Sequence, residues 1–417
     1  MTPEIKQRIE QIRRGEVPEG YVKKRKVVIP QQWGLPQIKD IASISSGSTP
    51  NRNNSEYWNG NIAWVTTGEL SSGHVNHTSE LITVKAVKET KMRIYAQGTL
   101  LMAMYGQGKT RGTVAILEID AAVNQACAAI TVKDGKSKFL FYQLKNSYQD
   151  IRKLSNTGNQ ENLNADIIKT YQVPWAPDEE QERISTILTT QDKVIELKEK
   201  RLAEKQRQKK YLMQQLLTGK KRLPGFNGAW KTDCLGKLFF ERKETNCENI
   251  EMLAITGTQG IIPRKELDLK DNSSEDKSKY LRVCVGDIGY NTMRMWQGVS
   301  AYSNYEGIVS PAYTILKPSS SINAKYFAYL FKMSKIVFLF YRFSQGLVDD
   351  TRNLKYENFK KIKACYPPDM KEQTAIAEVL SAADREIELL QQDIEQEKQK
   401  KKALMQLLLT GIVRVKT

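Results

Sequence analysis

Arginine, lysine, asparagine and glutamine side chains can hydrogen-bond to guanine and adenine edges in a major groove, and neighbouring glycines let the backbone approach a phosphate closely. Several short stretches of this 417-residue chain offer such groups. In the first half they are Ser48, Thr49, Arg52 and Asn53 after Gly47, then Lys109, Thr110 and Arg111 in YGQGKTRG (Tyr105 to Gly112), and Asn159 and Gln160 after Gly158. In the second half they are Arg294 and Gln297 in NTMRMWQG (Asn291 to Gly298) and Arg352 in DDTRNL (Asp349 to Leu354). The chemistry they suit is base-edge recognition, although any single one of them is more often a solvated loop residue or a turn former. The basic runs Lys23-Lys24-Arg25-Lys26 and Lys220-Lys221-Arg222 suit phosphate contact, which adds affinity and salt dependence without reading sequence, or a solvated linker. Trp58, Trp64 and Trp296 fit a core better than a base-stacking platform.

Catalytic constellations do not assemble. A methyltransferase needs a cofactor-binding glycine loop after a first strand and, for amino methylation, an Asn/Asp-Pro-Pro-aromatic turn; the sequence has neither. Pro177-Asp178 followed by Glu196-Leu197-Lys198 mimics a nuclease metal site, but Glu196 and Lys198 fall on a long helical stretch, where residues two apart point in different directions. His74 and His77 are the only histidines, with no further ligands close by in sequence, so neither a metal centre nor a Ser-His or Cys-His nucleophile has much to build on.

The composition agrees with a nucleic-acid partner. Sixty-four Lys and Arg against 47 Asp and Glu give a formal charge of +17, of the sign that attracts a polyanion. A hydrophobic content of 40% is enough for two or three packed domains at this length. The five cysteines (Cys127, Cys234, Cys247, Cys284, Cys365) are scattered without a CxxC pair, which fits a reducing compartment. The charged start MTPEIKQRIEQIRRGE and the absence of any run near the ~18 apolar residues of a membrane span lead to an expected cytoplasmic location.

The elements that position these groups follow from an internal repeat. Glu180-Gln181 aligns with Glu372-Gln373, and LMQQLLTG (Leu212 to Gly219) with LMQLLLTG (Leu404 to Gly411), at one constant offset of 192 residues without a gap. Between Glu180 and Gly219, 17 of 40 positions are identical, including Asp192 with Asp384 and Ile195-Glu196-Leu197 with Ile387-Glu388-Leu389. The chain is a tandem duplication. In the second copy Ile376, Leu380, Ala383, Ile387, Leu390, Ile394, Leu404 and Leu408 follow the alternating four-three spacing of a coiled-coil stripe. The first copy runs Ile184, Leu188, Gln191, Ile195, Lys198, Leu202, Lys205, Lys209, Leu212 and Leu216, apolar at its ends and polar in its middle. Two such helices in one chain can bury their stripes against each other, so an antiparallel intramolecular pair is expected. At ~1.5 Å per residue, about 36 residues make a rod of roughly 54 Å. Gly219 and Gly411 stand where a helix end takes a left-handed glycine.

The expected division is a first globular head over residues 1–177, a central helix over 178–219, a second head over 220–368 and a C-terminal helix over 369–417. Proline-bearing VPWAP (Val173 to Pro177) and YPP (Tyr366 to Pro368) mark the ends of the heads. Short β-like runs (Asn61 to Gly68, Gly112 to Ile119, Ala128 to Val132, Gly286 to Thr292, Ala312 to Leu316) interleave with helical stretches (Lys138 to Ser147, Lys325 to Ser334), so each head reads as α/β with a small sheet.

The two helical copies, each opening with Glu-Gln after a proline-bearing segment and closing with LMQ(Q/L)LLTG, together with the Trp-bearing entry and GSTP (Gly47 to Pro50) of the first head, resemble the specificity subunits of type I restriction-modification systems. The second head opens similarly with LPGFNGAWKTDCLGKLF (Leu223 to Phe239) but lacks a GxTP element, its counterpart reading RKETNCENIEMLAITG (Arg242 to Gly257). The resemblance covers nearly the whole chain. It implies two target-recognition domains on an antiparallel coiled coil, each reading half of a bipartite, asymmetric double-stranded DNA site. The helices would set half-site spacing and dock two methyltransferase subunits through the stripe Ile184, Leu188, Ile195, Leu212, Leu216, Ile376, Leu380, Ile387, Leu404 and Leu408. It further implies that this chain is not catalytic and binds no cofactor or metal; S-adenosylmethionine would sit in the methyltransferase, and ATP and Mg in motor-endonuclease subunits. Half-sites one DNA turn apart, about 34–36 Å, are within the reach of such a rod. Two rivals stay open: a coiled-coil scaffold whose heads bind proteins, against which the charge counts, and a fused recognition-plus-nuclease chain, against which the missing catalytic motifs count.

Overall fold

The computed structural model describes residues 2–106, 108–154, 162–247, 250–257, 259–267 and 276–415. It divides into two compact units, Met1–Leu197 with Ile394–Thr417, and Lys198–Asp393, so that each holds one α/β head and stretches of both long helices.

In the first unit the strands Ala42–Ser46, Cys127–Val132, Leu100–Ala103, Val114–Leu117 and His74–Val75 lie side by side in that order, antiparallel except for the last pair. Leu100, Met102, Ile116 and Ile130 enter one core, and their neighbours Leu101, Ala103, Leu117 and Ala129 enter a second on the opposite face. With both faces covered, Leu100–Ala103 (LLMA) and Val114–Leu117 (VAIL) read in sequence as unbroken apolar runs, not as an alternation. The first core also takes Phe139, Leu140 and Leu144 from the helix Ser137–Asn146.

The second unit has a four-stranded antiparallel sheet in the order Phe239–Glu241, Tyr313–Pro318, Ile288–Asn291, Ser300–Tyr302. Its core is aromatic, with Phe239 edge-on to Phe327 at 5.3 Å, and Phe331, Phe340 and Phe359 packed around them. Where the sequence suggests one helix over Lys325 to Ser334, the chain forms Ala324–Leu330, breaks at an extended Met333, and restarts as Ser334–Phe343. The break lets both Phe331 and Ile336 reach the same core.

The long helices are Asp178–Leu216 and Met370–Leu408, 39 residues each. Ile184 and Leu188 share a core with Met405 and Leu408 in the first unit, and Leu216 shares one with Ile376 and Leu380 in the second, so the paired stretches run antiparallel in both. Ile195 is also buried, while Leu212, Ile387 and Leu404 are half-buried. The polar middle of the first stripe finds carboxylates on the opposing helix. Gln191 Nε2 donates to Glu397 at 2.6 Å, Lys198 pairs with Asp393 at 2.8 Å, and Lys205 with Glu386 at 2.8 Å.

Two joints repeat at the 192-residue offset. Asp192 accepts from Tyr142 Oη at 2.8 Å and pairs with Lys401; Asp384 accepts from Tyr329 Oη at 2.6 Å and pairs with Lys209. Burial pushes both phenols up, so they remain protonated donors. At the helix starts, Glu180 (0% exposed) receives Arg414 through Nε at 2.8 Å and Nη2 at 2.9 Å, and Trp33 Nε1 at 2.9 Å. Glu372 (2% exposed) receives Arg222 at 2.6 and 2.7 Å. Each helix then ends on a left-handed glycine, Gly219 at φ 69° and Gly411 at φ 71°. A Cβ on Gly219 would stand 3.3 Å from Trp230, and one on Gly411 would stand 3.4 Å from Trp33.

A buried carboxylate deprived of its guanidinium keeps its desolvation cost, so Arg414→Ala is expected to destabilise the first unit by roughly 2–4 kcal/mol. Lys198→Ala, at the half-exposed middle of the pair, should cost under about 1 kcal/mol. Thermal and urea denaturation of both variants check this ranking, and equal small losses would show that the joint carries little of the stability.

Candidate nucleic-acid interface

In the first head the GSTP segment leaves the sheet edge at Ala42–Ser46. A Cβ on Gly47 would lie 1.7 Å from the carbonyl oxygen of Val123, and the amide of Ser48 donates to that same oxygen at 3.0 Å. This glycine therefore serves close strand approach, not access to a phosphate. Ser48 is half-buried, with its carbonyl accepting from Trp64 Nε1 at 3.1 Å, and Thr49 donates through Oγ1 to Gln125. Arg52 lies over Trp58, 4.1 Å from the ring centre, and bonds Glu80 through both terminal nitrogens. Its side chain is 53% exposed, so it can reach a base edge only by exchanging Glu80. Asn53 is exposed, its amide donating to Asn51 Oδ1 at 3.0 Å.

The loop after Leu100–Ala103 turns on Gly106, Gly108 and Gly112, all at positive φ. It is braced from the helix Tyr148–Lys153: Arg152 donates to the carbonyls of Gly108 at 2.9 Å and Arg111 at 2.8 Å, and Tyr148 Oη to that of Lys109 at 2.6 Å. The brace fixes which side chains face solvent. Lys109 is exposed and Thr110 half-buried. Arg111 departs from the sequence expectation, since at 6% exposure it lies inside the head and presents nothing to a groove. Asn159 and Gln160 lie outside the described residues.

In the second head Arg294 precedes the turn Met295–Gln297 and Gln297 closes it; both are exposed, and the turn packs against the helix Ser334–Phe343. Trp296 of that turn meets Tyr341 at 6.2 Å, and Arg352 stacks on Tyr341 at 4.1 Å and on Trp296 at 5.9 Å. Arg294, Gln297 and Arg352 thus share one region of this head. Arg352, however, is only 15% exposed in its side chain and pairs with Asp349 at 3.4 Å, so it holds its loop together.

The basic runs also divide. Lys23-Lys24-Arg25-Lys26 spans the turn of a hairpin formed by Tyr21–Lys24 and Val27–Pro30, with Lys23, Arg25 and Lys26 exposed and Lys24 bonded to the carbonyl of Trp33. In the second run Lys220 and Lys221 are exposed, but Arg222 belongs to Glu372, which corrects its reading as a phosphate contact. His74 bonds Glu118 at 2.7 Å, and among the described residues no three His, Cys, Asp or Glu side chains converge as metal ligands. Burial pushes the Cys127 thiol up to about 12, far from a reactive thiolate. No described helix is long and apolar enough to cross a membrane. Sequence reading missed the braces Arg152 and Tyr148, which carry no motif, and the joint arginines, whose signal was the Gly-x-x-Arg shared by Gly219 to Arg222 and Gly411 to Arg414.

If Arg152 sets the shape of the Lys109 loop, Arg152→Ala should speed amide exchange of residues 105–112 by about tenfold or more while the strands Leu100–Ala103 and Val114–Leu117 stay protected. Hydrogen-exchange mass spectrometry reads both; unchanged loop exchange would remove the arginine from the account.

A family model described as the type I restriction modification DNA specificity domain matches residues 30–207 and again 236–399. The MjaIX type I restriction enzyme specificity subunit of Methanocaldococcus jannaschii is 34% identical over 178 residues, 41% of this chain and 40% of that relative. The MjaX specificity subunit of the same organism is 25% identical over 93% of this chain and 95% of its own length. Among solved structures, a type I restriction-modification S subunit from M. genitalium superposes with a TM-score of 0.57 at 13% identity, covering 93% of this chain and 98% of that one. A chain from a structure describing assembly and conformational transition of the type I system gives 0.56 at 14% identity, over 92% of this chain and 99% of its own length. At these identities the structural likeness speaks for the fold.

Proposed function

The chain belongs to the type I restriction-modification specificity subunits, and from that premise we propose that its two heads, residues 1–177 and 220–368, each read one half of a bipartite, asymmetric double-stranded DNA target. The observation that carries this reading is the gapless repeat. The same Glu-Arg and Asp-Lys-Tyr contacts close both units, while the loops of the two heads differ in sequence and in shape. One frame used twice with two unlike readers calls for two unlike half-sites at a fixed gap. The charge of +17 supports polyanion binding. Lys109 and Asn53 in the first head, and Arg294 and Gln297 in the second, have the exposure and the donor chemistry for base edges. The methyl group and the strand cuts would come from partners: two methyltransferase subunits holding S-adenosylmethionine, and motor-endonuclease subunits using ATP and Mg.

The docking surface for the methyltransferases is better sought on the outward face of the helices than on the stripe, whose residues already face a core or the other helix. Of the identities between the repeats, most serve packing, caps or the joints. Glu196 with Glu388, Leu197 with Leu389, Lys210 with Lys402 and Gln214 with Gln406 stand apart: they are exposed in both copies, the leucines by 54% and 65%. All fall on the side of the helix away from the stripe. An outward leucine kept at the same place in both repeats suits one partner bound twice.

Replacing residues 223–368 with the head of another family member, leaving Arg222 with Glu372, should change one half of the methylated target and leave the other half and the gap intact. Methylome sequencing reads the result, and a change in both halves would refute independent reading. Leu197→Glu or Leu389→Glu alone should reduce bound methyltransferase from two subunits to one, and the double variant to none, by mass photometry. Retention of two subunits in the double variant would place docking elsewhere.

A further inference from the structure

The loop Ser344 to Asn353 of the second head is closed at its base by paired backbone bonds, Gln345 to Asn353 at 2.8 Å and Asn353 to Gln345 at 2.7 Å. Gly346, at φ 133°, lies so close to the returning strand that a Cβ there would meet Thr351 O at 2.6 Å. Val348 bonds the Thr351 hydroxyl, and Arg352 is clamped between Tyr341, Trp296 and Asp349. At its tip stand Leu347, 100% exposed, and Val348, 59% exposed.

A lone exposed leucine is ordinary. A leucine with its whole surface in water, on a loop braced to hold it there, is different, because a soluble head gains nothing from the bracing alone. The surroundings indicate what the tip meets. Arg294 opens the turn that carries Trp296, Arg342 follows Tyr341, and Lys355 lies three residues after Arg352; all three are exposed, against the acidic Asp349 and Asp350, of which Asp349 is taken by Arg352. An apolar point on a loop held by elements that carry exposed cations is the arrangement with which proteins wedge between base pairs: the cations hold phosphates while the apolar side chain unstacks one step.

We propose that Leu347, supported by Val348, is an apolar wedge that inserts at a base step of the DNA half-site read by the second head, with Arg352 as the residue that positions the loop. This rests on the DNA-reading function proposed above. It replaces direct base readout by Arg352 with recognition through the deformability of the step, so a flexible pyrimidine–purine step is the expected target.

The test uses the full chain assembled with its methyltransferase subunits and duplexes carrying the split target, with 2-aminopurine placed in turn at each purine of the second head's half-site other than the methylated adenine. The wild type should raise fluorescence at one step. Leu347→Ala should abolish that rise and weaken binding about tenfold, with both methyltransferase subunits still bound, and Leu347→Met should restore most of the signal. No rise at any position with the wild type bound, or a rise that Leu347→Ala leaves intact, overturns the wedge. Loss of methyltransferase from the DNA-free Leu347→Ala complex also overturns it, in favour of a protein contact. A wild-type complex that binds no split target brings down the DNA-reading function itself, a distinct failure.

Discussion

A carboxylate held away from water must be matched by a cation or it opposes folding, and in this chain two such carboxylates fix where the heads meet the helices. Glu180 opens the first long helix, yet its partner Arg414 comes from beyond the end of the second; Glu372 opens the second, and its partner Arg222 follows the end of the first. The start of one helix is thereby tied to the end of the other within each unit. The tie demands an antiparallel arrangement and a left-handed glycine just before each arginine-bearing segment. It also brings up a tryptophan, Trp33 or Trp230, against that glycine. Head, helix start and helix end become one packed object, with the cores continuing from the sheets into the helical stripes.

Between the joints the helices rely on specific polar contacts more than on apolar area. A stripe with lysines at its centre would pair poorly with a copy of itself, but here each central lysine meets a carboxylate of the opposing helix. Such half-exposed pairs contribute little stability individually. Their value lies in register, since sliding one helix along the other separates all three pairs at once. The Asp-Lys-Tyr contacts add a third member from each head, so Tyr142 and Tyr329 couple head position to helix register.

Much of this was legible in the amino-acid order. The 192-residue repeat, the ends of the stripe and the glycine stops lead directly to paired long helices, and apolar runs such as Ala128 to Val132 mark buried strands. What was not legible depends on contacts far apart in sequence. Arg222 reads as part of a basic run because Glu372 lies 150 residues away. Arg111 and Arg352 read as groove-facing donors because nothing local reveals that one is buried and the other stacked between two aromatic rings. The outward Leu197 and Leu389 reveal themselves only once the faces of the helices are known. Arginine identity was visible throughout; arginine direction required the fold.

The frame is therefore repeated and tightly determined, and the heads differ where they face solvent, which is what the proposed reading of two unlike half-sites requires. The most direct test is to express the chain with its cognate methyltransferase subunit in a methylation-free host and map methylated adenines by single-molecule sequencing. The account predicts one split motif with two unlike halves at a fixed nonspecific gap, absent when this chain is omitted. A short contiguous motif, or methylation indifferent to this chain, would contradict it.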